Sequence, residues 1–388
     1  MSLIHSLVGT LGFASLSVAA IYAVLALVAQ IAWRSHGAAE SSTSLPPVTI
    51  LKPLCGAEPG LYEHLRSFCR QDYPEFQIVF GLHDAADPAC SVVERLRAEF
   101  PSLPIDIVVN PQQHGCNHKT SNLINMLVRA RHDVLAMADS DVFVGPDYLR
   151  TVTAPLMDRN VGLVTCIYQD IPTGWIWSRL GAMYINEWYV PMVLLGWLFG
   201  NQSYASGQTL CLRQETLQAI GGLQAISNHL AEDYRLGELI RGLGQRIELS
   251  HYVVKGLHHE KNLDALARHE LRWMRTLRAL RPRSFRLFFL TFALPLALFG
   301  AILAGVGSSL PVAAWILCGI TIAARLALHF AHRVGGDRHM LSDVWLLPMH
   351  DLLICWVWFQ SFLTSQVTWR GVKFDVGVDG ILRNERQA

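Results

Sequence analysis

VLAMADSDVFVGP, residues 134–146, carries five apolar residues straight into Asp139, Ser140 and Asp141. Such a run reads as a strand buried on both faces, so the two carboxylates stand where the strand leaves its sheet. Side by side they repel each other, in a chain of which only 16% of the residues are charged. A second apolar run, QIVFGLHD, also ends in acid, at Asp84. In open α/β sheets ligands bind beyond the carboxyl ends of the strands. A hard divalent cation held by one or two of these acids, its shell completed by phosphate oxygens and water, would relieve the repulsion. A nucleoside diphosphate is the natural co-ligand. A lone D-x-D is common, however, and an acid capping the helix of GPDYLRTVTAPL explains it equally well.

Outward from this stretch, VTILKPL, FQIVFGLHD, IDIVVN, GLVTCIYQ and RIELSHYVV read as further strands, several apolar throughout. GLYEHLRSFCRQ, CSVVERLRAEF and KTSNLINMLVRAR have helical spacing between them. Alternating strands and helices predict an α/β layer fold over residues 48–282, with a parallel sheet covered on both faces.

The flanks are of another kind. The chain of 388 residues is 51% hydrophobic, and its mean hydropathy is positive. Leu7 to Trp33 carries no charge and is long enough to cross a bilayer, so residues 1–36 read as a first transmembrane helix. A cleaved leader fits less well: the run is too long, no basic segment precedes it and no A-x-A follows. Arg34 then places residue 34 on the cytoplasmic side, and 37–47 is a polar, Pro-ended linker. Residues 283–370 form the second membrane region. Leu287–Val306 spans with Pro295 as a tolerated kink, the turn GSSLP follows, and Leu310–Ala331 returns with Arg325 near enough to its end to snorkel. HRVGGDRH then lies on the side of Arg34. Val344–Trp369 holds His350, Asp351 and Gln360 and could span, re-enter or lie in the interface; the basic residues after it favour the non-crossing reading, with 371–388 as a cytosolic tail. Tyr189–Phe199, with Trp175, Trp177, Tyr184 and Trp188 nearby, is either an interface-seeking segment or a buried core helix.

Eight scattered cysteines without a C-x-x-C pair read as reduced thiols rather than a disulfide framework. A net charge of +1 and the lack of a basic patch in the central region exclude a nucleic-acid partner.

Other polar positions bear on the D-x-D. Lys119 opens a helix in CNHKTSNL, where its compact charge suits a phosphate or nucleobase oxygen, or is merely exposed. Glu232 and Asp233 open the amphipathic helix of HLAEDYRLGELI, where acids also favour the helix dipole. RHELRWMRTLR joins basic residues to Trp273, or forms a headgroup-facing helix.

The order of a strand-end Asp, N-x-K, D-x-D, E-D and R-W followed by membrane helices resembles the inverting GT-A glycosyltransferases, in particular the ceramide glucosyltransferase-like family 21. The resemblance covers about residues 47–282 and extends to the C-terminal WRG. ILKPLCGAEPGLYEHL, ASGQTLCLRQETL and HELRW look most like the bacterial branch that glycosylates hopanoid lipids. It implies a GT-A, Rossmann-like α/β domain on the cytoplasmic face of a bacterial inner membrane. It also implies a Mg²⁺ or Mn²⁺ cofactor, a UDP-sugar donor (UDP-N-acetylglucosamine or UDP-glucose) and a lipid acceptor, with a hopanoid favoured over ceramide or diacylglycerol. By the same resemblance Asp84 contacts the nucleoside, Lys119 holds the uridine or diphosphate, and Asp139 and Asp141 form the metal motif, Asp141 being the direct ligand. Asp233 is then the general base, and Gly207 and Gln208 lie beside the donor sugar. Arg272 and Trp273 end the (Q/R)-x-x-R-W element, whose first position is here His269. His258 and His259 supply a further metal or phosphate contact, or are satisfied strand-end histidines. Two rivals remain. A processive polysaccharide synthase needs more membrane helices, and a cation-binding membrane protein needs acids within its spans, where only Asp351 qualifies.

Overall fold

A computed structural model describes residues 2–36, 45–201, 203–306, 310–331, 340–369, 372–377 and 380–384. HRVGGDRH lies outside these residues, as do most of the linker, part of the GSSLP turn and part of the tail. The chain divides into two compact units. One gathers Met1–Ser35, Asp170–Gly200 and His258–Lys373, and the other His36–Gln169, Asn201–Leu257 and Phe374–Ala388. The stretch 48–282, read from sequence as one domain, therefore gives 170–200 and 258–282 to the membrane-helix unit.

The second unit is built on an eight-stranded sheet. Its strands are β1 (Val48–Pro53), β2 (Phe76–Leu82), β3 (Ile105–Val109), β4 (Val134–Met137), β5 (Val142–Phe143), β6 (Val161–Pro172), β7 (Leu210–Arg213) and β8 (Arg246–His258), in the order β3-β2-β1-β4-β7-β6-β8-β5. Strands β1 to β4 are parallel, each pair linked through a helix: Leu61–Cys69, Ala89–Glu99 or His118–Leu127. β7 pairs antiparallel with β4 and β6, and β5 with β8, so the sheet is mixed rather than wholly parallel as its apolar runs predict. The reason lies in the connections. A parallel neighbour requires a crossover over the sheet face, and between β6 and β7 the chain belongs to the other unit instead. Leu51, Val79, Leu123, Met126, Leu135, Leu212, Leu236 and Ile240 form the core between sheet and helices. Helix His118–Leu127 is drawn onto β2 by Asn122, whose Nδ2 donates to the Gly81 carbonyl at 2.8 Å. A small antiparallel pair near the end of the chain, β10 (Val372–Val376) with β11 (Leu382–Asn384), follows β9 (Gln366–Trp369). Leu382 N–H donates to the Asn228 carbonyl at 2.8 Å and Leu230 N–H to that of Gly380 at 2.9 Å, fastening the loop that precedes helix Glu232–Gly242.

The first unit is helical. Ser2–Ser35 is one helix of 34 residues, packed through Leu16 and Ala19 on Leu296, Ala297, Ala304 and Ala314. Ile4–Ser35 and Val312–Ala331 are long and apolar enough to cross a membrane. The Leu287–Val306 span is not straight. Residues 286–291 form a 3-10 helix, and the run bends by 69° before Ala293–Ala304 begins. The break sits at Phe292 (φ −88°, ψ 78°), not at Pro295. Pro295 occupies the third helical position, where its missing N–H costs nothing, while its ring blocks the helix from extending back through Thr291. Arg325 also departs from expectation. It is 4% exposed and does not snorkel: Nη1 meets Glu187 Oε2 at 2.7 Å, and Nη2 and Nε meet the Asp351 carboxylate at 3.0 and 3.2 Å. His329 Nδ1 lies 2.8 Å from Glu187, and His350 Nδ1 lies 2.9 Å from Asp351. Glu187 belongs to a π-helical turn, Tyr184–Tyr189, that continues as helix Val190–Leu198. Tyr184, Ile185, Trp188, Val190, Pro191 and Leu194 are buried, so the π-turn and the start of the helix are core, while most of the rest of the helix is half-buried and Phe199 is exposed at its end. Leu347–Gln360, with 14 residues, is short for a span.

Candidate active site

At the carboxyl edge of the parallel strands, Asp139 follows β4 by two residues and Asp141 immediately precedes β5, which β8 holds in register. Helix His118–Leu127 starts above them because Asn117 caps it, its Oδ1 accepting the Thr120 N–H at 2.9 Å. That cap places the first-turn Lys119 among acids. Its ammonium is 2.5 Å from Asp139 Oδ1 and 2.7 Å from Glu232 Oε1. Asn117 Nδ2 donates to the second Glu232 oxygen at 3.1 Å, fixing that carboxylate. Burial alone would lower the lysine's pKa. The carboxylates of Asp139, Glu232 and Asp233 outweigh burial and hold it well above the ordinary value.

Asp233 is anchored from two sides: Oδ2 accepts the Gly207 N–H at 2.8 Å and Oδ1 the Tyr234 N–H at 2.7 Å. Burial first, then neighbouring Glu232, push its carboxyl up to about 6, against the pull of Lys119 and the two amides. Gly207 lies in a tight turn in which Ser206 bridges to Thr209 and the Gln208 side chain bonds to Ser206. A Cβ at Gly207 would fall 2.7 Å from Lys119 Nζ and 3.0 Å from Asp139 Oδ2, so only a glycine leaves the space over this pair open.

Sequence reasoning missed Lys52. It is fully buried in β1, its ammonium donating to the Asp139 carbonyl and lying 3.7 Å over the Phe68 ring. Burial brings it down to about 7, with Asp141 and Asp139 opposing the fall. The signal was a lysine inside an otherwise apolar strand.

Four carboxylates, Asp139, Asp141, Glu232 and Asp233, thus face two lysines, and acid is in excess even with both lysines charged. Oxygen donors without a thiolate or imidazole among them suit a hard divalent cation that keeps water and phosphate in its shell. The residues therefore fit Mg²⁺ or Mn²⁺, with Asp139 and Asp141 as holders. Asp84 stands two residues beyond β2 at the same edge, exposed, with Oδ1 accepting the Ala86 N–H at 2.9 Å.

The remaining predicted positions belong to the other unit. Helix Leu263–Leu280 carries His269, Arg272 and Trp273. The Arg272 guanidinium lies 6.0 Å from the Trp273 ring, which is 5.2 Å from Tyr184 and 4.2 Å from His269. His269 Nδ1 meets Glu260 Oε1 at 2.7 Å. His259 is exposed and 3.2 Å from Thr173 Oγ1. His258 is buried against Asp170 at 2.8 Å.

A sheet of this order, with its D-x-D at the edge of the parallel half, is a GT-A-like fold. The fold is similar to that of a mannosyltransferase from Pyrobaculum calidifontis solved in complex with GDP-Man and Mn²⁺, with a TM-score of 0.56, 18% identity, and coverage of 92% of this chain and 99% of that one. The profile of glycosyl transferase family 21 matches residues 13–382, and the chain belongs to that family. It is similar to ceramide glucosyltransferase 3 of Caenorhabditis elegans, 22% identical over 364 residues, 90% of this chain and 76% of that protein. It is also similar to ceramide glucosyltransferase 1 of the same organism, 25% identical over 219 residues, 56% of this chain. The chain spans 47% of the latter's length. It is a membrane glycosyltransferase of the ceramide glucosyltransferase-like group.

Proposed function

We propose that the protein transfers a sugar from a UDP-sugar to the hydroxyl of a membrane lipid with inversion, the α-linked donor giving a β-glycolipid. The observation that carries this reading is Asp233, a carboxylate fixed by two backbone amides and raised to about 6 beside the Lys119 cluster. A base with a pKa near the working pH accepts a hydroxyl proton most effectively. As the acceptor oxygen bonds to the anomeric carbon and the bond to the phosphate breaks, the proton passes to Asp233 and UDP departs. Lys119 stabilises the charge growing on the diphosphate, with Arg272 as an auxiliary and Trp273 on the acceptor side. Asp84 meets the nucleoside, and Gly207 and Gln208 border the sugar. A Mg²⁺ or Mn²⁺ on Asp139 and Asp141 would act as a Lewis acid on the leaving diphosphate. Arg34, in the last turn of the first helix, supports a cytoplasmic placement of the domain, and the branch resemblance adds a bacterial inner membrane.

For the acceptor, the branch resemblance favours a hopanoid with N-acetylglucosamine as the sugar, while the names of the similar proteins favour ceramide with glucose. Incubating purified membranes with labelled UDP-N-acetylglucosamine and UDP-glucose and analysing extracted lipids by mass spectrometry separates them. Transfer from neither donor refutes the reading. Asp233→Asn is expected to bind UDP as the wild type does while losing at least about 10²-fold in transfer. Normal turnover would remove Asp233 from its role.

A further inference from the structure

The end of β8 and the helix that follows carry a second constellation, unrelated to the donor-side carboxylates. His258, Glu260 and His269 offer ligand atoms that all lie within 4.8 Å of one another, the one such grouping among the described residues. His258 is 4% exposed, and its two ring nitrogens differ. Nδ1 is held by Asp170 Oδ2 at 2.8 Å, whereas buried Nε2 has no hydrogen-bond partner. Its nearest acid, Glu260 Oε1, is 3.8 Å away, beyond hydrogen-bond reach. Two donors sharing one tetrahedral ion on arms of about 2.0–2.1 Å stand slightly closer than this. The same Glu260 oxygen is hydrogen-bonded to His269 Nδ1 at 2.7 Å, a contact that an ion held by both atoms would replace and widen by about 0.6 Å, so one carboxylate oxygen lies within reach of both imidazoles. Gly181 lies against Nε2: a Cβ there would fall 2.1 Å from it, and glycine alone leaves room at that nitrogen.

We propose that His258, Glu260 and His269 bind one Zn²⁺ ion. Two imidazoles and a carboxylate are a zinc donor set with a fourth position left for water. A carboxylate on the far nitrogen of a ligating histidine, as Asp170 is here, fixes the tautomer that presents the lone pair. Charge balances as well: Zn²⁺ against Glu260 and Asp170 leaves the buried group neutral, which an uncompensated ion would not be. Glu260 is further set in place by Ser178, whose Oγ accepts the Glu260 N–H at 2.8 Å. His269, with 30% of its side chain exposed, gives the ion a way in. The ion ties the end of β8 to the helix bearing Arg272 and Trp273, and it explains why a histidine stands where the family pattern has Gln or Arg. It is a clamp, independent of the donor-side metal.

The test is metal content and retention on the full chain purified in detergent and stripped with a chelator. Stripped wild type is expected to take up about one Zn²⁺ per chain and keep it through desalting, and Co²⁺ in its place to give the visible absorption of a four-coordinate site. Glu260→Gln and His269→Gln should lose retention, and Asp170→Asn should weaken it by about 10–100-fold. His269→Gln, which installs a residue of the family pattern, guards against misfolding, checked by gel filtration. Asp139→Asn with Asp141→Asn should keep the zinc. No Zn²⁺ uptake by the stripped wild type, undiminished zinc in Glu260→Gln and His269→Gln, or loss of zinc in the Asp139/Asp141 variant would each overturn the assignment.

Discussion

Lys52 holds an amine where no water reaches it, directly behind the D-x-D. Because its pKa falls to about 7 in the folded chain while the unfolded chain keeps the ordinary value, folding expels a proton above pH 7. Stability from this group therefore rises as pH climbs from about 7 toward 10.5, by an amount on the order of 5 kcal/mol over the whole window. Lys52→Met removes that dependence. Thermal melts should show wild type gaining stability between pH 6 and 9 and the variant not, the variant being the more stable at pH 6. Asp233 titrates on the activity side: below about pH 6 its carboxyl is protonated, and transfer should fall about tenfold per pH unit. A flat pH–rate profile from 5 to 7 would contradict it. At this scale Asp139 and Asp141 were legible as charges at the end of an apolar run, and Lys119 and Asp233 as charges that open helices. Lys52 was not, because a lysine within a strand reads as a flank. Nor could the sequence show that burial and Glu232 lift Asp233 to about 6.

Between elements, the group around Arg325 links helix Val312–Ala331, the π-turn Tyr184–Tyr189 and helix Leu347–Gln360. Two buried carboxylates share one guanidinium, each with a histidine beside it. Arg325→Leu removes the arginine charge from both and should cost about 3–5 kcal/mol, read as a lowered melting temperature. Replacing Arg325, Glu187 and Asp351 together by leucine should recover most of the loss, since a buried ion network is often no better than a packed apolar core. Equal melting temperatures for Arg325→Leu and wild type would show the group to be idle. The helices themselves were legible as uncharged runs. Their polar wiring was not, because a basic residue near a helix end looks like a snorkelling one until its partners, 138 and 26 positions away, are placed beside it. The break at Phe292 was half legible: Pro295 announced it, and the blocked carbonyl of Thr291 moved it upstream. β7 escaped notice because four residues cannot display a period.

For the whole molecule, alternating apolar runs and amphipathic helices sufficed for the α/β class, and long uncharged runs for a membrane protein. The return of 170–200 and 258–282 to the helical unit follows from tertiary contacts that no local pattern encodes. Sidedness is testable at exposed Cys55. In a variant keeping that cysteine alone, an impermeant maleimide should label inverted vesicles and spare sealed right-side-out ones; the reverse pattern would turn the protein over in the bilayer. A last consequence comes from the two backbone hydrogen bonds that fasten Asn228 and Leu230 to residues 382 and 380. While the nascent polypeptide is still being made, helix Glu232–Gly242 emerges well before these partners, by roughly 7–30 s at ordinary elongation rates. The segment 312–331 is translated in that interval, so its insertion into a bilayer can precede closure of the loop before helix Glu232–Gly242.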